Sequence, residues 1–215
     1  MSLTIVDFNN FWSPSGGGVR RYHLEKMNFY RYETDAVYVF VMPDSRTYTE
    51  QLTDSLIIEH VKAFKFPGKW EYRMLWKSSQ IAPILKRHKP DIIEVGSPYI
   101  LPTVVRKNAK KIVPRAKLLG FWHADFPITY VERPIAEKFG KKLGKLASQV
   151  AFAYARYEFK GFTGIQVSAE ETRLRLKRKG LPAHHQVPLG CDISMFSPTK
   201  RDEKLVSLLK QGDKD

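Results

Sequence analysis

The sequence alternates between short apolar segments and longer amphipathic ones as far as about residue 190. The clearest apolar segment is 36–42, a run of β-branched and aromatic residues before Pro43, as in a strand buried on both faces. The pattern predicts strands over 3–8, 36–42, 55–61, 91–95, 117–123, 163–167 and 185–189. It predicts helices over 19–32, 70–89, 101–109, 132–158 and 169–179. This alternation favours an α/β fold with a mostly parallel, Rossmann-like sheet and helices on both faces.

Length and residue content limit the class of protein. The chain has 215 residues, enough for one large domain or two small ones. We assign residues 1–199 to one Rossmann-like domain and residues 200–215 to a charged tail or the start of a linker. No segment approaches the ~18 consecutive apolar residues of a membrane span, and no leader peptide is expected. A single cysteine, Cys191, excludes an internal disulfide, so we expect a cytoplasmic protein.

The net charge of +14 favours anionic partners. Every basic cluster is interleaved with apolar residues, and none is the continuous run of a disordered nucleic-acid arm. An anionic membrane surface is therefore a stronger expectation than nucleic acid, for which no motif is present. A merely solvated basic surface is the alternative.

A glycine-rich segment, 14–18, follows the first predicted strand. In an open α/β sheet, ligands bind beyond the carboxyl ends of the strands. Gly16, Gly17 and Gly18 would let backbone N–H groups approach an anion at the start of the following helix. The spacing is neither that of a dinucleotide fingerprint nor that of a P-loop, so a turn that binds nothing is the alternative.

Two further segments carry polar side chains after predicted strands. Ser97 and Tyr99 follow the strand at 91–95, and their hydroxyls would be exposed at the sheet edge. His123 ends a core strand, and Asp125 follows two residues later, which suits a side chain held over a cleft. An ordinary turn and a core histidine are the respective alternatives. The His-x-Asp pair could also ligate a metal, but no third ligand is evident, so no metal is expected.

The pattern at 132–158 predicts one long basic amphipathic helix. Its apolar residues recur at spacings of three and four, as Phe139, Leu143, Leu146, Val150 and Tyr154. Four lysines fall on a different face: Lys138, Lys141, Lys142 and Lys145. Such a helix either packs on the sheet with its lysines in water or contacts an anionic membrane.

The helix predicted at 169–179 has a start signal of its own. Ser168 and Glu171 have the spacing of a capping box, so a structural role explains both residues.

Taken together, these segments resemble the N-terminal domain of a retaining glycosyltransferase of family four, with the GT-B architecture. The resemblance spans roughly residues 3–199. It rests on the Gly-Gly-Val sequence at 17–19, on residues 91–99, on the segment around His123, on the Val-Ser pair at 167–168 before a helix, and on residues 187–198. The last stretch is similar to the family's Pro-Asn-Gly-Val-Asp…Phe signature, with Leu189 where Asn is usual and Cys191 where Val is usual.

The resemblance implies one half of a two-domain enzyme. The N-terminal half binds the acceptor, a glycan or a lipid-linked molecule, and the C-terminal half holds a nucleotide-sugar donor. Hexosyl transfer would proceed with retention, with the departing phosphate stabilised by backbone amides and cations. No metal or other cofactor is expected. The donor-binding basic pair and acidic motif are absent, so this chain alone is expected to be poorly active or inactive.

The resemblance also implies roles for individual residues. Gly16, Gly17 and Gly18 would approach the donor diphosphate, and His123 would contact the transferred sugar near the reacting centre. The expected acceptor contacts are Ser97, Tyr99 and Asp125. A stand-alone, non-catalytic module that binds an anionic glycan or a membrane surface is the alternative function.

Overall fold

Strands and helices alternate along the chain in the computed structural model, which describes residues 2–13, 17–65, 72–190 and 197–211. The strands are β1 (Thr4–Phe8), β2 (Val37–Asp44), β3 (Tyr48–Gln51), β4 (Leu56–Lys62), β5 (Phe64–Lys65), β6 (Arg73–Met74), β7 (Ile92–Val95), β8 (Lys117–Trp122), β9 (Gly164–Val167) and β10 (His185–Gln186). The helices are α1 (Gly18–Glu33), α2 (Ser78–His88), α3 (Leu101–Ile112), α4 (Arg133–Phe139), α5 (Lys141–Glu158), α6 (Glu170–Arg178) and α7 (Glu203–Gln211). A π-helical segment, Pro127–Glu132, leads into α4, and a 3₁₀ turn, Pro198–Lys200, precedes α7.

The main sheet of the described residues has the order β10-β9-β8-β7-β1-β2-β4-β3. All neighbouring strands in it are parallel except β3, which pairs antiparallel with β4 at the edge. This architecture confirms the predicted α/β, Rossmann-like fold class. The chain leaves β1 toward β2 on one side and returns to place β7 on the other. The topological switch point, where open α/β sheets bind ligands, therefore lies between β1 and β7.

The centre of the sheet is apolar on both faces. In β2, Val39 and Val41 join the core that contains Val6 of β1, whereas Tyr38 and Phe40 pack with Met27 of α1 on the opposite face. Alternate residues of a strand point to opposite faces, so a strand covered on both sides must be apolar throughout. This explains why 36–42 is one continuous apolar run.

The prediction of one long helix over 132–158 is wrong. Gly140 separates α4 from α5 with a φ of +91°, a backbone conformation that glycine adopts without steric cost. The two helices then pack closely at Gly144. A Cβ on Gly144 would lie 2.6 Å from the Cβ of Ala136 and 2.8 Å from the carbonyl oxygen of Glu132. The two glycines of this segment therefore make a sharp break and a close contact.

The helix predicted over 70–89 begins later than expected, at Ser78. The Gln80 side chain accepts hydrogen bonds from the N–H groups of Trp76 and Lys77, which caps α2 at this point. Upstream, β6 pairs antiparallel with β5. The first part of the prediction, including Trp70, lies outside the described residues.

One further expectation near the end of the chain needs correction. The capping box of Ser168 and Glu171 is wrong, because α6 is preceded by Ala169 at its N-cap and has no side-chain cap. Within the predicted charged tail, residues 203–211 form α7. The large apolar side chains of α7, Leu205, Leu208 and Leu209, are exposed. The boundary at residue 199 stays a prediction.

Candidate functional site

Three elements bring polar side chains together at the switch point. Phe8 of β1 lies opposite Val95 of β7, and the N–H of Gly96 donates to the carbonyl oxygen of Phe8 at 2.9 Å. Asn9 therefore follows β1 directly beside Gly96, and His123 follows β8, the next strand along. The side-chain nitrogen of Asn9, Nδ2, lies 3.4 Å from Nε2 of His123. The same Nδ2 lies 2.6 Å from Nε2 of His23, a buried residue of α1.

Gly96 makes this arrangement possible. A Cβ at this position would lie 2.5 Å from Nδ2 of Asn9 and 2.8 Å from Nε2 of His123. Real Cβ atoms do not approach other atoms so closely, so a side chain here would push the two polar groups apart. The absence of a side chain at residue 96 is therefore a packing requirement of the site.

The hydrogen bonds also assign the protons on the two imidazole rings. The Asn9 Oδ1 atom accepts the N–H of Phe11 at 2.7 Å, which orients the amide so that its nitrogen faces the rings. An amide nitrogen only donates, so Nε2 of both His23 and His123 must accept. The proton of each neutral ring is then on Nδ1. In His23 this nitrogen lies 3.5 Å from the Asp7 carboxylate.

A largely buried cluster of charged side chains lies beside the His23 ring. Lys26 of α1 forms ion pairs with Asp7, at 2.8 Å, and with Glu94 of β7. The Tyr38 hydroxyl donates to the same Asp7 oxygen at 2.8 Å. Burial by itself would raise the pKa of Asp7, but the attraction of Lys26 and His23 and the hydrogen bonds from Lys26 and Tyr38 lower it to about 2. Asp7 is therefore ionised and links α1 to the centre of the sheet.

Both histidines are neutral at neutral pH. Burial is the largest cause and lowers the pKa of His23 to about 4, and Lys26 lowers it further against the opposing attraction of Asp7. Burial likewise lowers the pKa of His123 to about 3, with a further decrease from His23. His123 therefore carries a neutral imidazole, with its proton on Nδ1, at the carboxyl end of β8.

Aromatic rings connect His123 to the first turns of α1. The ring of Phe121 meets that of His123 edge-on at 4.1 Å, and the ring of Tyr22 does so at 5.8 Å. Tyr22 also stacks on Phe121. Since Tyr22 is little more than a turn from Gly17, Gly17 and His123 belong to the same end of the molecule. A Cβ on Gly17 or Gly18 would meet nothing within 4 Å, whereas Gly16 lies outside the described residues.

A family model described as Glycosyltransferase Family 4 matches residues 16–195, most of the chain. The chain belongs to this family. A solved structure titled as sucrose-phosphate synthase from Thermosynechococcus elongatus is similar over 96% of this chain and 98% of its own, with a TM-score of 0.52 and 8% identity. At that identity the likeness shows the fold alone, which is the GT-B N-terminal fold expected from the sequence. None of the curated proteins matches the chain.

In this family-4 domain, two of the expected acceptor residues, Ser97 and Asp125, have contacts within the chain, and their contact with an acceptor stays a prediction. Ser97 was expected to expose its hydroxyl, but its side chain is fully buried and its oxygen accepts the N–H of Tyr99 at 3.5 Å. Asp125 forms an ion pair with Arg175 of α6, with 3.0 Å between the carboxylate and Nε. Each of these side chains therefore has a structural contact within the domain.

Tyr99, the third expected acceptor contact, is half-buried. Its ring packs edge-on against Phe11 at 6.1 Å and against Phe126 at 5.1 Å. It also lines one end of an apolar groove that continues along α5. Contact with an acceptor stays a prediction for this residue.

Several residues of the site were missed by the sequence analysis: Asp7, Asn9, His23, Lys26 and Glu94. A signal existed for two of them, since Asp7 is a carboxylate inside an apolar strand and Lys26 lies one helical turn beyond His23. Such a strand carboxylate is tolerated only with partners, and a helix face that carries His and Lys can supply them.

Neither a metal site nor a membrane-spanning helix is present in the described parts of the chain. No three His, Cys, Asp or Glu side chains there are grouped so that they could hold a metal ion. None of the helices there has the length and apolar character needed to span a bilayer. Independence of metals stays a prediction.

Proposed function

We propose that this chain is the acceptor-binding half of a retaining hexosyltransferase of the cytoplasm. It would act in moving a sugar from a nucleotide-sugar donor to a glycan or a lipid-linked acceptor. Membership of Glycosyltransferase Family 4 supports glycosyl transfer. The observation that carries the assignment of residues is the neutral His123 ring held by Asn9 at the switch point, beside the first turns of α1.

The chemistry of the crevice supports a division of labour between His123 and α1. A neutral imidazole with its proton on Nδ1 can donate a hydrogen bond to a sugar hydroxyl without placing a charge beside it. The N-terminal turn of α1 carries no acidic residue. The first N–H groups of any helix have no partner within the helix and favour an anion. Charge that develops on the departing diphosphate would be stabilised there.

The described strands supply only one side of such a crevice. They form one large sheet and the small β5–β6 sheet, and the crevice lies at the carboxyl edge of the large one. We propose that a second domain supplies the opposite wall and most of the contacts with the donor. Residues 1–215 alone should then bind nucleotide sugars weakly and transfer sugar poorly.

Calorimetry of the 215-residue chain with UDP-, GDP- and ADP-linked hexoses tests this division. We expect dissociation constants of about 1 mM or weaker, since only part of the donor would be contacted. Micromolar binding by this chain alone would contradict the proposal that the donor site lies mostly elsewhere.

The role of His123 is tested by sugar transfer in a preparation that contains both domains. We expect His123→Ala to lower kcat about a hundredfold, because it removes a donor near the reacting centre. The matched control is His184→Ala, which changes an exposed histidine beside β10. Equal activity of the two variants would exclude a catalytic role for His123.

A further inference from the structure

Large apolar side chains are exposed on the hairpin formed by α4 and α5 and on the π-helical segment that leads into it. They are Tyr130, Phe139, Leu143, Leu146 and Val150, which we call the hairpin surface, and their exposed fractions lie between 51% and 65%. The sequence pattern had allowed this stripe to pack on the sheet. Instead, α5 buries a different face, which carries Gly144, Ser148, Ala151, Phe152 and Ala155.

The hairpin surface borders a long apolar groove. The groove has a volume of about 800 Å³, and its lining includes Tyr99 and the α5 residues Leu143 and Leu146. Its other lining residues are also apolar or aromatic, among them Phe126, Ile135 and Val150. A contiguous exposed apolar surface of this kind marks a place where another molecule is bound.

Unpaired positive charge lies beside the hairpin surface. Residues 133–157 contain six basic side chains and one acidic one. The four lysines of the earlier prediction, Lys138, Lys141, Lys142 and Lys145, are all exposed. Within the described ranges, none of the four forms an ion pair with a carboxylate.

The lysines and the apolar residues are close neighbours on the helices. Lys142 precedes Leu146 by four residues, so the two side chains share one flank of α5. At the turn of the hairpin, the Lys138 ammonium lies 5.3 Å from the ring centre of Phe139. An exposed aromatic residue between lysines is suited to a boundary between water and an apolar phase.

We propose that the hairpin surface docks on an anionic lipid bilayer. Phe139, Leu146 and Val150 would enter the headgroup region while the lysines contact lipid phosphates. Charge complementarity selects this partner, because lysines without carboxylate partners beside an apolar stripe match an anionic interface. The inference goes beyond sugar transfer and does not depend on it. Because Tyr99, which follows β7, lines the groove, docking would also hold the crevice close to the membrane surface.

Co-sedimentation of the chain with vesicles tests this proposal. We expect strong binding to vesicles of phosphatidylglycerol and phosphatidylcholine, and little binding to phosphatidylcholine alone. The double variant Leu146→Asp/Val150→Asp should lower the partition coefficient at least tenfold, because it removes the apolar contact. Lys142→Glu/Lys145→Glu should lower it by a similar factor and weaken its dependence on salt.

Controls separate docking from the general attraction of a basic protein to anionic lipid. Lys110→Glu/Lys111→Glu makes the same change of charge on exposed lysines of α3, and Phe29→Asp changes an exposed apolar side chain of α1. Both should reduce binding by less than the matched hairpin variants, and circular dichroism checks that each variant is folded. Equal losses in hairpin and control variants would overturn the proposal. So would a dimer in sedimentation velocity that Leu146→Asp dissociates, since a second copy would then cover the surface.

Discussion

Acidification should destabilise this domain through His23 and His123, whose pKa values are lowered by burial. Burial lowers the pKa of His23 to about 4 and that of His123 to about 3, whereas an unfolded histidine titrates near 6.5. A histidine whose pKa is depressed by folding stabilises the native state fully above its unfolded pKa. That stability is lost as the pH falls through the folded pKa. The expected window therefore runs from about pH 6.5 down to pH 4 for His23 and to pH 3 for His123.

The magnitude follows from proton linkage. At pH 5 an unfolded histidine is almost fully protonated while the folded one is still neutral, which costs about 2 kcal/mol per histidine relative to pH 8. Two histidines together cost about 4 kcal/mol, a large part of a typical unfolding free energy of ~5–15 kcal/mol. Asp7 does not contribute in this range. Its pKa of about 2 means that its stabilisation is lost only below about pH 4.

The assay is urea unfolding between pH 8 and pH 5, with the pH dependence of the unfolding free energy as the readout. His123→Gln should remove about 2 kcal/mol of the decline between these pH values, whatever its effect at pH 8. His184→Gln, at an exposed position, is the matched control and should decline as the unmodified chain does. The ring resonances of His123 in NMR spectra should not shift in this range. Two results would refute the reasoning. One is an unfolding free energy of His123→Gln that falls between pH 8 and pH 5 as much as that of the unmodified chain, and the other is a His123 ring that titrates near pH 6.5.

Three further perturbations probe contacts that the structure describes. Gly96→Ala should lower the unfolding free energy by about 1–3 kcal/mol, because the new Cβ would clash with the side chains of Asn9 and His123. The control is Gly190→Ala, where a Cβ would meet no neighbouring atom, and an equal loss in the two variants would contradict the prediction. Gly144→Ala should also destabilise the domain by about 1–3 kcal/mol, although alanine has the better helix propensity, because its Cβ would clash with α4. A variant that is more stable in thermal unfolding would show that α4 and α5 do not pack closely. A double-mutant cycle of Asp125→Asn and Arg175→Gln should give a coupling energy of about 0.5–3 kcal/mol, and additive effects would mean that the ion pair does not form.

The strands could be predicted because their signal is local. A central strand of a covered parallel sheet must be apolar on both faces, and β2 shows this as an unbroken run. The approximate positions of Gly17 and His123 could also be predicted. Gly17 lies in the loop after one predicted strand and His123 ends another, so both were expected at the carboxyl edge of the sheet. The structure brings them to one end of the sheet, linked by Tyr22.

The orientation of α5 could not be predicted, because two faces of the helix show helical periodicity. One carries the large residues Leu143, Leu146 and Val150, and the other carries small ones such as Gly144 and Ala155. Periodicity favours the large residues as the buried face. The native packing uses the small ones, since they let α5 approach its neighbours closely and gain dispersion contacts.

The sequence by itself determined the α/β class, the order of the main parallel strands and the family, because these depend on apolar periodicity and on short motifs. Only the tertiary structure decided which polar residues meet. Asn9, His23 and His123 are far apart along the chain, and their contacts exist because β1, β7 and β8 lie side by side. The low pKa values of the two rings have the same origin, since burial is a property of the packed molecule and of no single segment.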